Sequence, residues 1–128
     1  MDNELMNTSN YGSQFFCTLS ADNKHEKLII LKALNAATSL NDVDGTFTII
    51  GIMTTPGKRP QTNTDCINTY LILEDGSAYF SQSDGIAKSA LYINKIFTKE
   101  EIAEGLEVFV KPISLSGGRT LKTLDFVL

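Results

Sequence analysis

The chain has one histidine, two cysteines and no tryptophan in 128 residues. Each scarcity removes a class of chemistry. His25 stands alone between Lys24 and Glu26 in a polar stretch, so there is no second imidazole for a proton relay or a zinc set, and it reads as an exposed surface residue. Cys17 and Cys66 are far apart and form no Cys-x-x-Cys pair; both read as reduced, small core residues. A Gly-x-x-x-x-Gly-Lys-Ser/Thr loop, a Gly-x-Ser-x-Gly elbow and a His-Glu-x-x-His helix are all missing. The carboxylate pairs Asp42/Asp44 and Glu74/Asp75 each stand beside a turn glycine. Turn formation accounts for those aspartates, which leaves a small enzyme with a carboxylate-held magnesium as a third-ranked reading. The expectation is a binding protein without a cofactor, not an enzyme.

Long apolar runs are also missing. None approaches the roughly 20 residues that span a bilayer, and Met1-Asp2-Asn3-Glu4 has neither the basic nor the apolar part of a signal peptide. No membrane contact and a cytoplasmic location are expected. A basic excess is lacking too, with 11 Lys+Arg against 15 Asp+Glu and a net charge of −4. That balance argues against coating duplex DNA by electrostatics alone. It leaves unpaired strands open, where stacking contributes about 1–3 kcal/mol per base and a local basic groove suffices.

The chain is long enough for one domain with its own core. Residues 1–14, rich in Asn, Ser, Thr and Gly without periodicity, read as a mobile arm, and 15–128 as a single domain. The informative stretch is Thr46 to Phe80. Thr46 to Thr54 is β-branched and aromatic, as a half-buried strand is, with Gly51 marking a bulge or bend. A polar loop over Thr55–Thr64 carries Lys58 and Arg59. A second strand over Cys66–Glu74 closes on Asp75-Gly76, a tight turn, and Ala78-Tyr79-Phe80 pairs back. Alternation places Ile67, Leu71 and Leu73 on one face and Asn68, Tyr70 and Ile72 on the other. Tyr70 and Tyr79 near Lys58 and Arg59 suggest an aromatic platform beside cations, the arrangement that suits single-stranded nucleic acid.

Phe15–Leu19 reads as a short strand and Lys27–Asn35 as a longer one, although the run Leu28 to Leu34 fits a buried helix equally well. Asn35–Gly45 is a connecting loop ending in an Asp-Gly turn. Ser83 or Asp84 caps a helix with Ile86, Ala90, Ile93 and Phe97 at helical spacing. Thr98-Lys99-Glu100-Glu101 fits a capping box for one short turn, stopped by Gly105. Leu106–Leu115 and Arg119–Leu128 form a hairpin about Ser116-Gly117-Gly118, with Pro112 requiring an edge or a bulge and the last strand buried. Lys111, Arg119 and Lys122 make a second basic patch near that turn. The fold expected is mainly β: an OB-like antiparallel barrel of five or six strands with one helix inserted before the C-terminal hairpin.

Lys32-Ala33-Leu34-Asn35-Ala36, Ser39, Asp44-Gly45-Thr46, Asp75-Gly76-Ser77-Ala78-Tyr79, the helix and the Leu106–Leu128 hairpin together resemble the small single-stranded-DNA-binding proteins of protein-primed tailed phages. The resemblance runs from about Leu28 to Leu128. It implies an OB-like fold and a role in phage genome replication: coating strands displaced by the polymerase, itself a further candidate partner, and shielding them from nucleases in the host cytoplasm. It also implies that the tyrosine after the Asp-Gly turn, here Tyr79, stacks on DNA. This sequence departs from the family in having no tyrosine between Thr54 and Thr64. Tyr70 or Tyr92 is expected to substitute, or the site to lean on charge, with Lys58, Arg59, Lys111, Arg119 and Lys122 tracking phosphates. The alternative is an accessory protein whose barrel binds a host or viral protein.

Overall fold

The computed structural model describes residues 15–128, so the arm expected over 1–14 lies outside the described residues. Helices α1 (Lys24–Ala36), α2 (Asp84–Ile96) and α3 (Lys99–Ala103) accompany strands β1 (Thr38–Ser39), β2 (Phe47–Lys58), β3 (Asp65–Leu73), β4 (Ala78–Ser81), β5 (Leu106–Ser114) and β6 (Thr120–Phe126). The strands form one sheet in the order β1-β4-β3-β2-β5-β6, curled into a half-barrel. The fold is therefore mainly β, as expected, but the sheet is mixed. β1 runs parallel to β4, with Thr38 opposite Tyr79, whereas every other pairing is antiparallel. β1 and β6 remain as edges.

The curl originates in β2. Its register against β3 shifts between Ile49 and Gly51, the bulge anticipated from the glycine. Before the bulge, Phe47–Ile49 pair with β5. Beyond it that edge is taken over by the chain around Phe16–Thr18: the Thr54 amide donates to the Phe16 carbonyl and the Thr18 amide to the Ile52 carbonyl, each at 2.9 Å. The strand expected over Phe15–Leu19 is thus corrected to a single bridge, Cys17 to Met53. β2 also continues to Lys58, so the expected ten-residue loop shortens to residues 59–64.

The strand expected over Lys27–Asn35 is instead α1. Asn23 caps it, accepting from the Glu26 amide at 2.9 Å while its own amide group donates to Glu26 Oε1 at 3.0 Å. Ile30 and Ala33 are buried, whereas Leu28 and Leu31 stay about half exposed. Apolar residues on both sides of the helix erase the 3.6-residue signal. α1 covers one face of the sheet, building a core of Ala21, Ile30, Ala33, Met53, Tyr70, Ile72 and Ala78. The opposite face holds the larger core, where Ile86, Ala90 and Ile93 of α2 and Ile102 of α3 meet Ile49, Ile52, Leu71, Val108 and Leu124.

α3 shows the capping box: the Glu101 amide donates to Thr98 Oγ1 at 3.1 Å and the Thr98 amide to Glu101 Oε1 at 2.9 Å. Thr98→Ala is expected to lower stability by about 1 kcal/mol in urea unfolding; an unchanged midpoint would show the cap to be idle. Pro112 stands where, among the described residues, β5 has only β6 beside it, consistent with its lack of a donor. The last strand, expected to be buried, buries only Leu124 because β6 is an edge.

Candidate nucleic-acid interface

Alternation along β3 holds: Leu71 and Leu73 face the α2 core, Tyr70 and Ile72 the α1 core. The face carrying Tyr70 is not free, since α1 lies over it. Tyr70 is 8% exposed and its ring sits 5.3 Å from that of Phe80. Tyr79 lies on the other side of β4, half-buried against the α2 core, with its ring edge-on to Phe47 at 5.1 Å. The two tyrosines therefore occupy opposite faces and share no platform. Tyr92, on α2, is 53% exposed, with the Lys88 ammonium 5.9 Å from its ring centroid.

The cations are mostly engaged by neighbours. Lys58 pairs across the β2–β3 ladder with Asp65 at 3.0 Å. Arg59 donates to Asp84 Oδ1 at 2.9 Å and to the Gln82 carbonyl at 3.2 Å. Lys111 pairs with Asp125 at 3.4 Å. The Asp125 carboxyl is held below the usual carboxylate range chiefly by the Phe126 amide, with Lys111 adding to the effect. Lys122 donates to Asn41 Oδ1 at 2.9 Å. Arg119 is exposed at the far turn of the β5–β6 hairpin, which puts it and Lys111 on a separate arm. Such exposed pairs contribute little to folding and exchange readily for another anion.

Two of these cations converge. A polar hollow of about 360 Å³ is lined by Ser39, Asn41, Arg59, Gln61, Phe80 and Gln82, among others. Arg59 lines it directly, and Lys122 reaches it through Asn41. Gln82 fixes the wall, donating to Asn68 Oδ1 at 3.0 Å and to the Lys58 carbonyl at 3.2 Å. A second hollow of about 210 Å³, between the C-terminal end of α1 and β4, is lined by Leu34, Asn35, Tyr70 and again Phe80. Phe80 is the wall common to both, so the ring that shares a hollow with Arg59 is a phenylalanine that sequence reasoning passed over. Its signal was its place directly after Tyr79 in a short strand, which sends the two rings to opposite faces.

Elsewhere, Asp75 closes its turn by accepting from the Ser77 hydroxyl at 2.6 Å and amide at 2.9 Å, contacts that lower its pKa; Gly76 supplies the positive φ of 86°. Burial pushes the Cys17 thiol up, away from a reactive thiolate. An apolar hollow of about 560 Å³ opens between α2 and the start of β5, lined by Tyr92, Ile96, Phe97, Leu106, Phe126 and Val127, with Glu107 at its rim. Among the described residues no group of three or more His, Cys, Asp or Glu is placed to hold a metal ion, and no helix is long and apolar enough to cross a membrane. In comparisons with known proteins, the chain matches no family model, no curated protein and no solved structure.

Proposed function

We propose that this chain is a sequence-nonspecific single-stranded-DNA-binding protein that coats and protects strands displaced during phage DNA replication, with an OB-like barrel as its fold and the phage polymerase as a further partner. The observation that carries the reading is Phe80, the shared wall of a hollow containing Arg59 and a hollow containing Tyr70. A base set against Phe80 leaves its phosphates within reach of Arg59 and of Lys122, while Asn41, Gln61 and Gln82 offer hydrogen bonds that do not discriminate between bases. Stacking supplies the affinity that a net charge of −4 withholds. Lys111 and Arg119 on the outer hairpin extend the phosphate track. Tyr70 contributes as the support behind Phe80, and Tyr79 as packing beneath β4.

Anisotropy titration of labelled oligothymidine at low salt tests this. Saturable binding is expected, weakened about 5- to 160-fold by Phe80→Ala, the equivalent of roughly 1–3 kcal/mol. Arg59→Gln is expected to reduce the slope of log K against log salt by about 0.7 in magnitude, one phosphate contact. Failure of the wild-type chain to bind oligothymidine, or equal affinity for duplex of the same length, rejects the reading.

A further inference from the structure

We propose that Asp84 holds Arg59 in reserve: its carboxylate occupies the guanidinium in the free protein and gives way to a backbone phosphate when a strand binds, so that Asp84 limits the affinity of the hollow beside Phe80. The inference rests on the nucleic-acid reading above. It adds to that site a residue that sets how strongly a phosphodiester backbone is held, and through which cation.

The two cations at the hollow are held differently. Lys122 donates to the neutral side-chain amide of Asn41 at 2.9 Å, whereas Arg59 donates to the Asp84 carboxylate at 2.9 Å. Asp84 is not part of the wall; it follows Ser83, which is, and meets the site through Arg59. The pair is lopsided, with the Arg59 side chain 33% exposed and that of Asp84 78%. Arg59 is also fixed from another side, because the same Nη2 donates to the Gln82 carbonyl at 3.2 Å, and the Gln82 side chain is tied to Asn68 and to the Lys58 carbonyl. The guanidinium therefore keeps its place when Asp84 leaves. What it gives up is an exposed anion, a contact that water and salt already weaken.

Asp84 has two opposed effects on a bound strand. It positions Arg59, which aids binding, and it sets a like charge beside an incoming phosphate, which opposes it. The Gln82 contact makes the first redundant, so the second decides. Carboxylate and phosphate compete for the same planar fork of N–H donors. A strand whose base is stacked on Phe80 holds its phosphate at a high local concentration and displaces the carboxylate; a free anion has no such tether.

Anisotropy titration of labelled oligothymidine with the full chain at low salt tests this. Asp84→Asn keeps an oxygen in reach of Nη2 and removes only the charge. It is expected to tighten binding about 2- to 5-fold over the wild type, the span that corresponds to an exposed pair. In the Arg59→Gln background the same change is expected to have almost no effect, because its target is gone. Glu104→Gln removes an exposed charge that is outside the hollow and is expected to leave the affinity near that of the wild type. A wild type that binds, with Asp84→Asn equal to it or weaker, overturns the inference and leaves the nucleic-acid reading standing. An equal gain from Asp84→Asn with and without Arg59 also overturns it, since Asp84 would then act as bulk charge. A wild type that does not bind oligothymidine removes both.

Discussion

Gly85→Ala is expected to lower the stability of the fold by about 3 kcal/mol, close to 10 °C in melting temperature for a chain of this size. Gly85 is buried in the first turn of α2, where the helix meets β6 backbone to backbone. A methyl group there would overlap the Lys122 carbonyl oxygen and lie 2.9 Å from the Leu121 side chain. The carbonyl has little freedom to yield. Ser83 Oγ donates to it at 3.4 Å, and two residues further along β6 the Leu124 amide donates to Ser89 Oγ, which itself donates to the Gly85 carbonyl at 3.0 Å. Alanine improves helix propensity by up to about 1 kcal/mol, less at a helix start, and this does not offset the overlap. Urea unfolding checks it; an unchanged midpoint would mean that α2 and β6 are not in such close contact.

Tyr70→Ala is expected to cost about 3–5 kcal/mol, the range for removing a large buried ring, while Tyr70→Phe stays within about 1 kcal/mol because the ring contacts are kept. The ring lies against Phe80 and within the core under α1. Its removal leaves a cavity beneath β4 and lets Phe80 fall inward. Unfolding curves of the two variants, with oligothymidine affinity measured well below the unfolding transition, separate a supporting role from a stacking one. Tyr70→Ala with full stability but no binding would make the tyrosine itself the platform.

Local chemistry was readable in the sequence wherever a few neighbouring residues decide it. The Asp75-Gly76 turn, the bulge at Gly51, the Thr98–Glu101 capping box, the α2 stripe and the two faces of β3 all follow from short-range rules and all stand in the structure. What failed was the segment in which apolar residues surround the helix: Leu28 and Leu31 are exposed while Ile30 and Ala33 are buried, so the run has no readable period. The Asn23 cap with Glu26 three residues on was the available signal. Strand and helix stayed equally open there, and the choice matters because a strand would have left the Tyr70 face open, whereas a helix closes it. The parallel β1–β4 pair likewise joins residues about forty apart and depends on tertiary docking. The cations were identifiable by type, but their partners were not. Lys58 meets Asp65 only through the β2–β3 register, and Arg59 meets Asp84 only once α2 is seated.

β2 leaves β5 at Val108, and from Lys111 to Thr120 the terminal hairpin runs exposed, with no third strand beside it among the described residues. A two-stranded ribbon is marginal on its own. Its amides should therefore exchange with deuterated solvent through local opening, long before the strands beneath α1 and α2 do, and that opening need not disturb either core. Lys111 and Arg119 thus ride on a finger whose opening leaves the hollows beside Phe80 in shape, which under the proposed function lets the two cations follow the path of an unpaired strand.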